Sequence, residues 1–490
     1  MTIPAEQRDV AGFLTQLSGK TPSETHISAI FIGSDTVWKL KKAVRLPFLD
    51  FTTLDAREHF LRRELELNQP AAPGIYRDVI AVSRRPDGTL ELGGNNPIDW
   101  VLRMTPIPGT DFLDVIASRG GLTRKRLDEM ADAVAAYHAR LRPVLDRDSA
   151  GAMLRITDGN AVSALAAGHP QTEVEAWRER MRATIEARRT WLGERADAGY
   201  VRRCHGDLHL GNLCLWEGKP VPFDALEFDE ALATIDVAYD LAFLLMDVEH
   251  RAGRSAANQV MNRYVARTGD VFTAGLPIFL SQRAMIRAHV LQSMGQDGTR
   301  YLAAAQAYLV PALPTVIAIG GLQGTGKSTL ARALAPDIGP APGALVVRSD
   351  EIRKRLHASP PEARLPPDAY TAAANAAVND TLIEQARIAA ASGHTVIADT
   401  TFLDPNVRAR LREAADQATT SFLGVWLHAP LALLEQRIVS RNDDASDATV
   451  SVLRQSVETD PGPGDWLLVE ADEGGQALEV VRRAIETRGS

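Results

Sequence analysis

The chain has 490 residues, 45 % of them hydrophobic and 24 % charged, with a formal net charge of −8. A single hydrophobic core does not serve a chain of this length, so more than one folding unit is expected. The acidic balance disfavours a nucleic-acid backbone as partner. Cys204 and Cys214 are the whole cysteine content, too little for a disulfide framework or a thiolate zinc site, and they read as small, half-buried residues. The opening segment 1–9 has no basic start followed by an apolar run, and no apolar stretch reaches the ~18 residues of a membrane span. Together these features predict a cytoplasmic protein without membrane attachment.

In chain order, residues 26–31 form a short apolar run, Gly33-Ser34-Asp35 makes a turn, and 36–44 alternate in character. That pattern predicts a β-hairpin. Lys39 and Lys41 fall on one face of its second strand, because strand side chains alternate. Residues 54–67 have helical spacing, with Leu54, Leu61 and Leu65 on one stripe and Glu64 and Glu66 as candidate partners for a strand lysine. Strands are expected at 79–82 and 98–104, with Asp87-Gly88 as a turn between them. From Arg124 onward the pattern is helical: Leu127, Met130, Val134, Tyr137 and Leu141 recur at helical intervals. Helices then dominate to about 309, broken by short strands within 201–228. Residues 309–314 contain Pro311 and Pro314 and no periodicity, which marks a domain boundary. Beyond it, apolar strands at 315–319, 344–347, 395–398 and 422–427 alternate with helices, as in a parallel α/β sheet. The Pro-rich stretch 336–342 reads as a surface loop.

Two motifs carry chemistry. The first is His205-Gly206-Asp207-Leu208-His209-Leu210-Gly211-Asn212, the H-x-D-x-x-x-x-N spacing of a kinase catalytic loop. Phosphoryl transfer needs a carboxylate for the attacking hydroxyl, ligands for Mg²⁺ and a cation on the phosphates. Asp207 is the expected base and Asn212 a metal ligand. Asp224, after the strand-like run Pro220-Val221-Pro222-Phe223, is the expected second metal ligand. The phosphate-binding cation is Lys39, with Lys41 as rival, and Glu64 is its expected partner. Either Asp236 or Asp240, one helical turn apart, braces the catalytic loop, or Asp236 is a plain helix cap.

The second motif is Gly321-Leu322-Gln323-Gly324-Thr325-Gly326-Lys327-Ser328, a Walker A loop between an apolar strand and a helix-forming run that begins at Thr329. Its glycines let backbone N–H groups converge on phosphates at a helix N-terminus. Lys327 is expected to reach the β- and γ-phosphates and Ser328 to take Mg²⁺, with Gly321, Gly324, Thr325, Gly326 and Thr329 completing the nucleotide cradle. Two carboxylates follow strands: Asp350 as the base for an acceptor hydroxyl, Asp399 as an acid acting on Mg²⁺ through water. Arg353 is a candidate for an anionic acceptor. Arg437 and Arg441, four residues apart, read as a lid that delivers cations to the transferring group. Asp404-Pro405 reads as a helix cap followed by a first-turn proline.

The first motif, with Asp224 and the Asp236/Asp240-Leu241-Ala242 segment, resembles the aminoglycoside phosphotransferase and choline kinase superfamily over residues ~22 to 308. That resemblance implies a bilobal α+β protein-kinase-like fold. His138 and His209 are read as a core and a loop-bracing histidine. No G-x-G-x-x-G precedes Lys39, Asp224-Ala225-Leu226 stands in place of D-F-G, and no A-P-E follows, so a small hydroxylated acceptor is expected rather than a protein. Glu227, Asp229 and Glu230 are acids available to such an acceptor. The segment from Pro314 resembles the gluconate kinase, zeta-toxin and polynucleotide-kinase-like groups of small P-loop kinases. The tandem order resembles a bacterial family of fused proteins of these two types. The expected architecture is thus a kinase-like domain over 1–310, with a small lobe at about 22–105 and a helical lobe at about 106–308, followed by a P-loop NTPase domain over 314–490. The expected function is ATP- and Mg²⁺-dependent phosphoryl transfer at two sites. The alternatives are one working kinase beside a nucleotide-binding regulatory module, and a C-terminal polynucleotide or nucleotide-sugar kinase.

Overall fold

The computed structural model describes residues 2–46, 49–440, 446–471 and 475–489. The chain packs as two compact units, Met1–Arg147 with Arg195–Leu244, and Asp148–Glu194 with Leu245–Ser490.

The first unit opens with a helix, Arg8–Ser18, that the sequence reading did not anticipate. Its Val10 and Leu14 lie one turn apart and pack on Phe31, Trp38, Leu40, Val82 and Val101. Behind it is a six-stranded sheet in the order Ser23–Glu24, Ser28–Ile32, Val37–Lys41, Pro97–Met104, Tyr76–Arg84, Leu90–Leu92, with every neighbouring pair antiparallel. The expected hairpin is present, with Ile30 opposite Lys39 and Gly33 N–H donating to Thr36 O at 2.9 Å across the turn. Val37–Lys41 is an inner strand. Its apolar residues Trp38 and Leu40 face the N-terminal helix, so the strict alternation of the strand puts Lys39 and Lys41 on the opposite face. On that face lies the helix Leu54–Asn68, capped by Thr53 and packed through Leu61 against Ile75, Tyr76, Leu102 and Phe223. The helix Arg124–Arg140 and two small antiparallel ribbons belong to the same unit: Val201–Arg203 with Thr234–Asp236, and Leu213–Trp216 with Lys219–Pro222.

The second unit combines helices with a five-stranded sheet. Its strand order is Leu345–Arg348, Val396–Asp399, Thr315–Gly321, Ser421–His428, Leu467–Glu470, and every neighbouring pair is parallel. Ile317, Ile319, Val346, Ile397, Leu423 and Val425 form its core, the near-continuous apolar strands that a two-sided parallel sheet requires. The helices Ser149–Ala166, Gln171–Ala187 and Leu276–Ser293 are tied by buried polar pairs, Asn160 with Gln282 at 2.9 Å and Trp177 with Ser281 at 2.8 Å.

The seam between the compact units does not coincide with the Pro311–Pro314 linker, because these helices pack in the same unit as the P-loop sheet. Linker composition reports where the backbone carries no regular pattern; it does not report which helix faces are buried against what. Among the described residues no helix is long and apolar enough to cross a membrane.

Candidate active sites

The first site is built where the strand Val37–Lys41, the helix Leu54–Asn68 and the loops around 205–212 and 223–227 meet. Lys39 Nζ donates to Glu64 Oε1 at 2.6 Å and to Asp224 Oδ1 at 2.7 Å. Burial works against the Lys39 cation, but Asp224 and Glu64 outweigh it and hold its pKa well above the ordinary lysine value. The same partnership holds Asp224 below the ordinary carboxylate range despite its desolvation. Lys41 Nζ binds the second oxygen of Glu64 at 2.8 Å and also pairs with Glu227. Both Lys41 and Glu64 are fully buried. The two lysines are therefore not equivalent. Lys39 touches the half-exposed Asp224 and faces the loops, whereas Lys41 is enclosed between two carboxylates. Glu66 does not compete: it turns outward and pairs with Arg63 at 2.8 Å.

Asp207, on the loop 205–212, has its side chain 43 % exposed. Asn212 Nδ2 donates to its carbonyl at 2.8 Å and to its carboxylate at 3.0 Å, so the spacing of five residues closes a small ring that fixes both side chains. Asp224 has φ +61°, a left-handed conformation that aspartate tolerates better than most residues. It is held there by three contacts. Its own N–H donates to the Tyr76 hydroxyl at 2.9 Å, the next N–H donates to Asn68 Oδ1 at 2.8 Å, and Lys39 binds its carboxylate. Asn68 and Tyr76 escaped the sequence reading. For Asn68 a signal existed, since it sits four residues after Glu64 on the same helix face; for Tyr76 there was none.

Asp240 rather than Asp236 braces the loop 205–212. It accepts from His205 N–H at 3.0 Å, from Gly206 N–H at 2.9 Å and from His138 Nε2 at 3.1 Å. Asp236 instead pairs with Arg195 at 2.6 Å and accepts from Ala238 N–H at 2.8 Å at the start of the next helix. His205 bridges Phe223 O at 2.8 Å and the Asp207 N–H at 3.3 Å. Burial holds it below the ordinary histidine range, against the pull of Asp240. It thus ties the Asp207 loop to the segment that follows the strand Lys219–Pro222 and carries Asp224. His209 Nδ1 accepts from Gly211 N–H at 3.1 Å. The acids offered to an acceptor are engaged elsewhere. Glu227 is buried on Lys41, Asp229 accepts from Ala231 and Leu232 N–H, and Glu230 pairs with Arg63 and Arg203. Cys204 and Cys214 are fully buried rather than half-buried.

The second site lies at the C-terminal ends of the parallel strands, where open α/β sheets gather ligands. Gly321 and Gly324 are required by space as well as by their positive φ: a Cβ on the first would stand 2.3 Å from Leu427 O, and on the second 2.9 Å from Leu434 O. Lys327, the first residue of the helix Lys327–Leu334, donates from Nζ to the carbonyls of Gly321 and Leu322 at 2.9 Å each. Thr325 is buried and donates to Leu322 O at 2.8 Å, whereas Thr329 is exposed and Gly326 and Ser328 are half-buried. The pairing register sets Asp399 opposite Ile319 on one side and Arg348 on the other. Arg348 Nε donates to Asp399 at 3.1 Å, and its Nη1 binds Glu351 at 3.0 Å. Asp350 is the second residue of the helix Ser349–Leu356 and is half-buried. Arg353 is turned inward, donating to Ala369 O at 2.7 Å and lying 4.7 Å from the Tyr370 ring centroid. Arg437 is half-buried on the helix Leu431–Ser440, while Arg441 lies outside the described residues. Asp404 caps its helix by accepting from Asn406 N–H.

Two segments match known families, residues 48–273 the phosphotransferase enzyme family and residues 316–459 the AAA domain. A protein of Mycobacterium tuberculosis and one of Mycobacterium bovis, both described as uncharacterized, are 29 % identical to the chain over 451 residues, covering 88 % of it and 88 % of their own length. Among solved structures, a GDP complex of an aminoglycoside 2'-phosphotransferase is 13 % identical, covers 62 % of the chain and 97 % of itself, and superposes with a TM-score of 0.37. A gluconokinase from Sinorhizobium meliloti is 23 % identical, covers 36 % of the chain and 95 % of itself, with a TM-score of 0.25.

Proposed function

From a chain that joins a phosphotransferase-family domain to a P-loop domain of kinase type, we infer that both domains transfer the γ-phosphoryl group of ATP to small hydroxylated acceptors. The observation that carries this reading is the bridge from Lys39 to Glu64 and Asp224 at 2.6 and 2.7 Å. Kinase chemistry is positioning and charge stabilisation, and a lysine held between a helix glutamate and the metal-binding aspartate is the assembled form of that machinery. Asp207 orients and accepts the proton of the acceptor hydroxyl. Asn212 and Asp224 in the first site, and Ser328 and Asp399 in the second, are hard oxygen donors suited to Mg²⁺. Mg²⁺, when bound, neutralises phosphate charge. Lys39 in one site and Lys327 in the other add a cation from the protein, and Asp350 serves the acceptor of the second site. Since Glu227, Asp229 and Glu230 are all engaged within the chain, nothing among them selects a polycationic acceptor, and neutral polyhydroxy compounds are the first class to screen. A library of sugars, polyols and nucleosides assayed for ATP-dependent phosphoproduct tests the reading; a wild-type chain that phosphorylates none and hydrolyses no ATP refutes it.

Two outcomes follow from the geometry. Lys39→Met is expected to lower turnover at the first site by roughly 10² or more, because it removes a fixed charge at the reacting phosphates, while leaving the fold intact. Lys41→Met leaves Glu64 and Glu227 facing each other without their shared cation, so its main effect is on stability, about 3–5 kcal/mol. Phosphate release and chemical denaturation on the two variants separate the roles. At the second site Asp350→Asn is expected to keep ATP affinity within a few-fold and lower turnover by roughly 10² or more, the scale of a lost general base. Unchanged turnover in that variant would leave Asp350 as a first-turn acid facing the helix dipole.

A further inference from the structure

We propose that the helix Arg254–Thr268 is a working part of the P-loop site, and that its Asn258 and Asn262 are positioning residues for the strand that delivers Arg348 and Asp350. Among the described residues, the strand Leu345–Arg348 is the edge of the parallel sheet and pairs with Val396–Asp399 on one side only. Its outer row of peptide groups needs partners from elsewhere. Asn262 Oδ1 accepts from Val346 N–H at 2.7 Å. The carbonyl of Ala344, two residues back and on the same outer side, accepts from Asn258 Nδ2 at 3.0 Å and from Asn262 Nδ2 at 3.3 Å. The two carboxamides also bind each other, Asn262 Nδ2 to Asn258 Oδ1 at 3.0 Å, and Asn258 is buried. A side-chain amide offers one acceptor and a donor in the geometry of a peptide group, so the pair stands in for the missing sixth strand.

What makes this more than cover is where the strand leads. Arg348 is its last residue and binds Asp399 and Glu351; Asp350 comes two residues later. The same helix also holds the far end of the element, where Arg355 Nη1 donates to Ala266 O at 3.0 Å, and Arg263 pairs with Glu362 beyond it at 2.9 Å. The segment carrying Asp350 is thus pinned before and after by Arg254–Thr268. A reacting group displaced by about 1 Å costs up to roughly 10² in rate, so releasing one pin is expected to show in turnover before it shows in nucleotide affinity. The proposal rests on the reading of Asp350 as the base of the second site.

The test uses the full chain with Asn262→Leu and Asn262→Asp, the second keeping the acceptor for Val346 N–H. Amide exchange over 344–348, ATP affinity by calorimetry and turnover at the second site are measured. Asn262→Leu is expected to lose roughly tenfold or more of exchange protection at Val346 while 316–320 stay protected. It should also lower turnover about tenfold with ATP affinity within twofold, and Asn262→Asp, which keeps the acceptor for Val346 N–H but loses the donors to Ala344 O and Asn258 Oδ1, should recover part of the rate. Lost protection with unchanged turnover reduces the helix to a cover and overturns the proposal, as does unchanged protection at Val346. A wild-type second site without turnover sinks the phosphotransfer reading instead, a result that the exchange pattern at Val346 does not mimic.

Discussion

Lys327→Ala is expected to stop phosphoryl transfer at the P-loop site and leave the kinase-like site running, and Asp207→Asn is expected to do the reverse. Lys327 lies on the Walker A turn with its ammonium on the carbonyls of Gly321 and Leu322, within the loop proposed above to hold the phosphates. Removing it takes away a fixed positive charge where negative charge is redistributed, a loss on the order of 10²–10³ in turnover. Asp207→Asn is nearly isosteric. The bond from Asn212 Nδ2 to the backbone carbonyl at residue 207 survives, so the loop keeps its shape while the base is lost, on the order of 10²–10⁴. The two constellations share no residue, and each supplies its own cation and carboxylates. Phosphate release and phosphoproduct formation, measured for wild type, each single variant and the double variant, decide the matter: the double variant is expected to be inert. If Lys327→Ala removes all activity while Asp207→Asn changes nothing, the kinase-like domain is a binding module.

A second large stability effect is expected at Asp240. This fully buried carboxylate accepts from two successive N–H groups of the catalytic loop and from His138. Asp240→Ala leaves those donors buried without it, at about 1–3 kcal/mol each, so the first unit is expected to lose about 3 kcal/mol or more. Asp240→Asn keeps one acceptor oxygen and is expected to fall between. Proteolysis or amide exchange localised to residues 205–212 is the appropriate measurement, because a chain of several units has no single unfolding free energy. Native-like protection of that loop in Asp240→Ala would show that Asp236 or another group takes over the bracing. Asp207→Asn, by contrast, is expected to leave loop protection unchanged, which separates a reacting group from its support.

Much of this was legible in the sequence, for identifiable reasons. Both phosphate motifs are local: their residues lie within a few positions of one another, and spacing alone carries the geometry. The hairpin lysines were legible because a strand has period two, and Glu64 because a helix presents one face to a sheet. What spacing does not carry is which of two equivalent residues is enclosed. Lys39 and Lys41 alternate identically, and only the arrival of Asp224 and Glu227 from 185 and 186 residues away tells them apart. Asp236 and Asp240 are likewise one turn apart, and the partner that fixes Asp236, Arg195, lies in another helix. The acids Glu227, Asp229 and Glu230 looked available because a sequence shows charges without their counter-ions. The helix Arg8–Ser18 was passed over although it was legible: Val10, Phe13, Leu14 and Leu17 stand at the i, i+3, i+4, i+7 spacing of an amphipathic helix.

The asparagine pair on the sheet edge also has a meaning in time. Asn262 precedes its partner Val346 by 84 residues, so a ribosome working at about 5–20 residues per second makes the cap roughly 4–17 s before the strand it covers. An edge strand exposed during synthesis is a template for pairing with other chains. Here the template emerges after its cover, and the order of the two segments along the gene is itself a safeguard: a rearranged chain with the P-loop segment first would present the bare edge to its neighbours until the helix Arg254–Thr268 had been made.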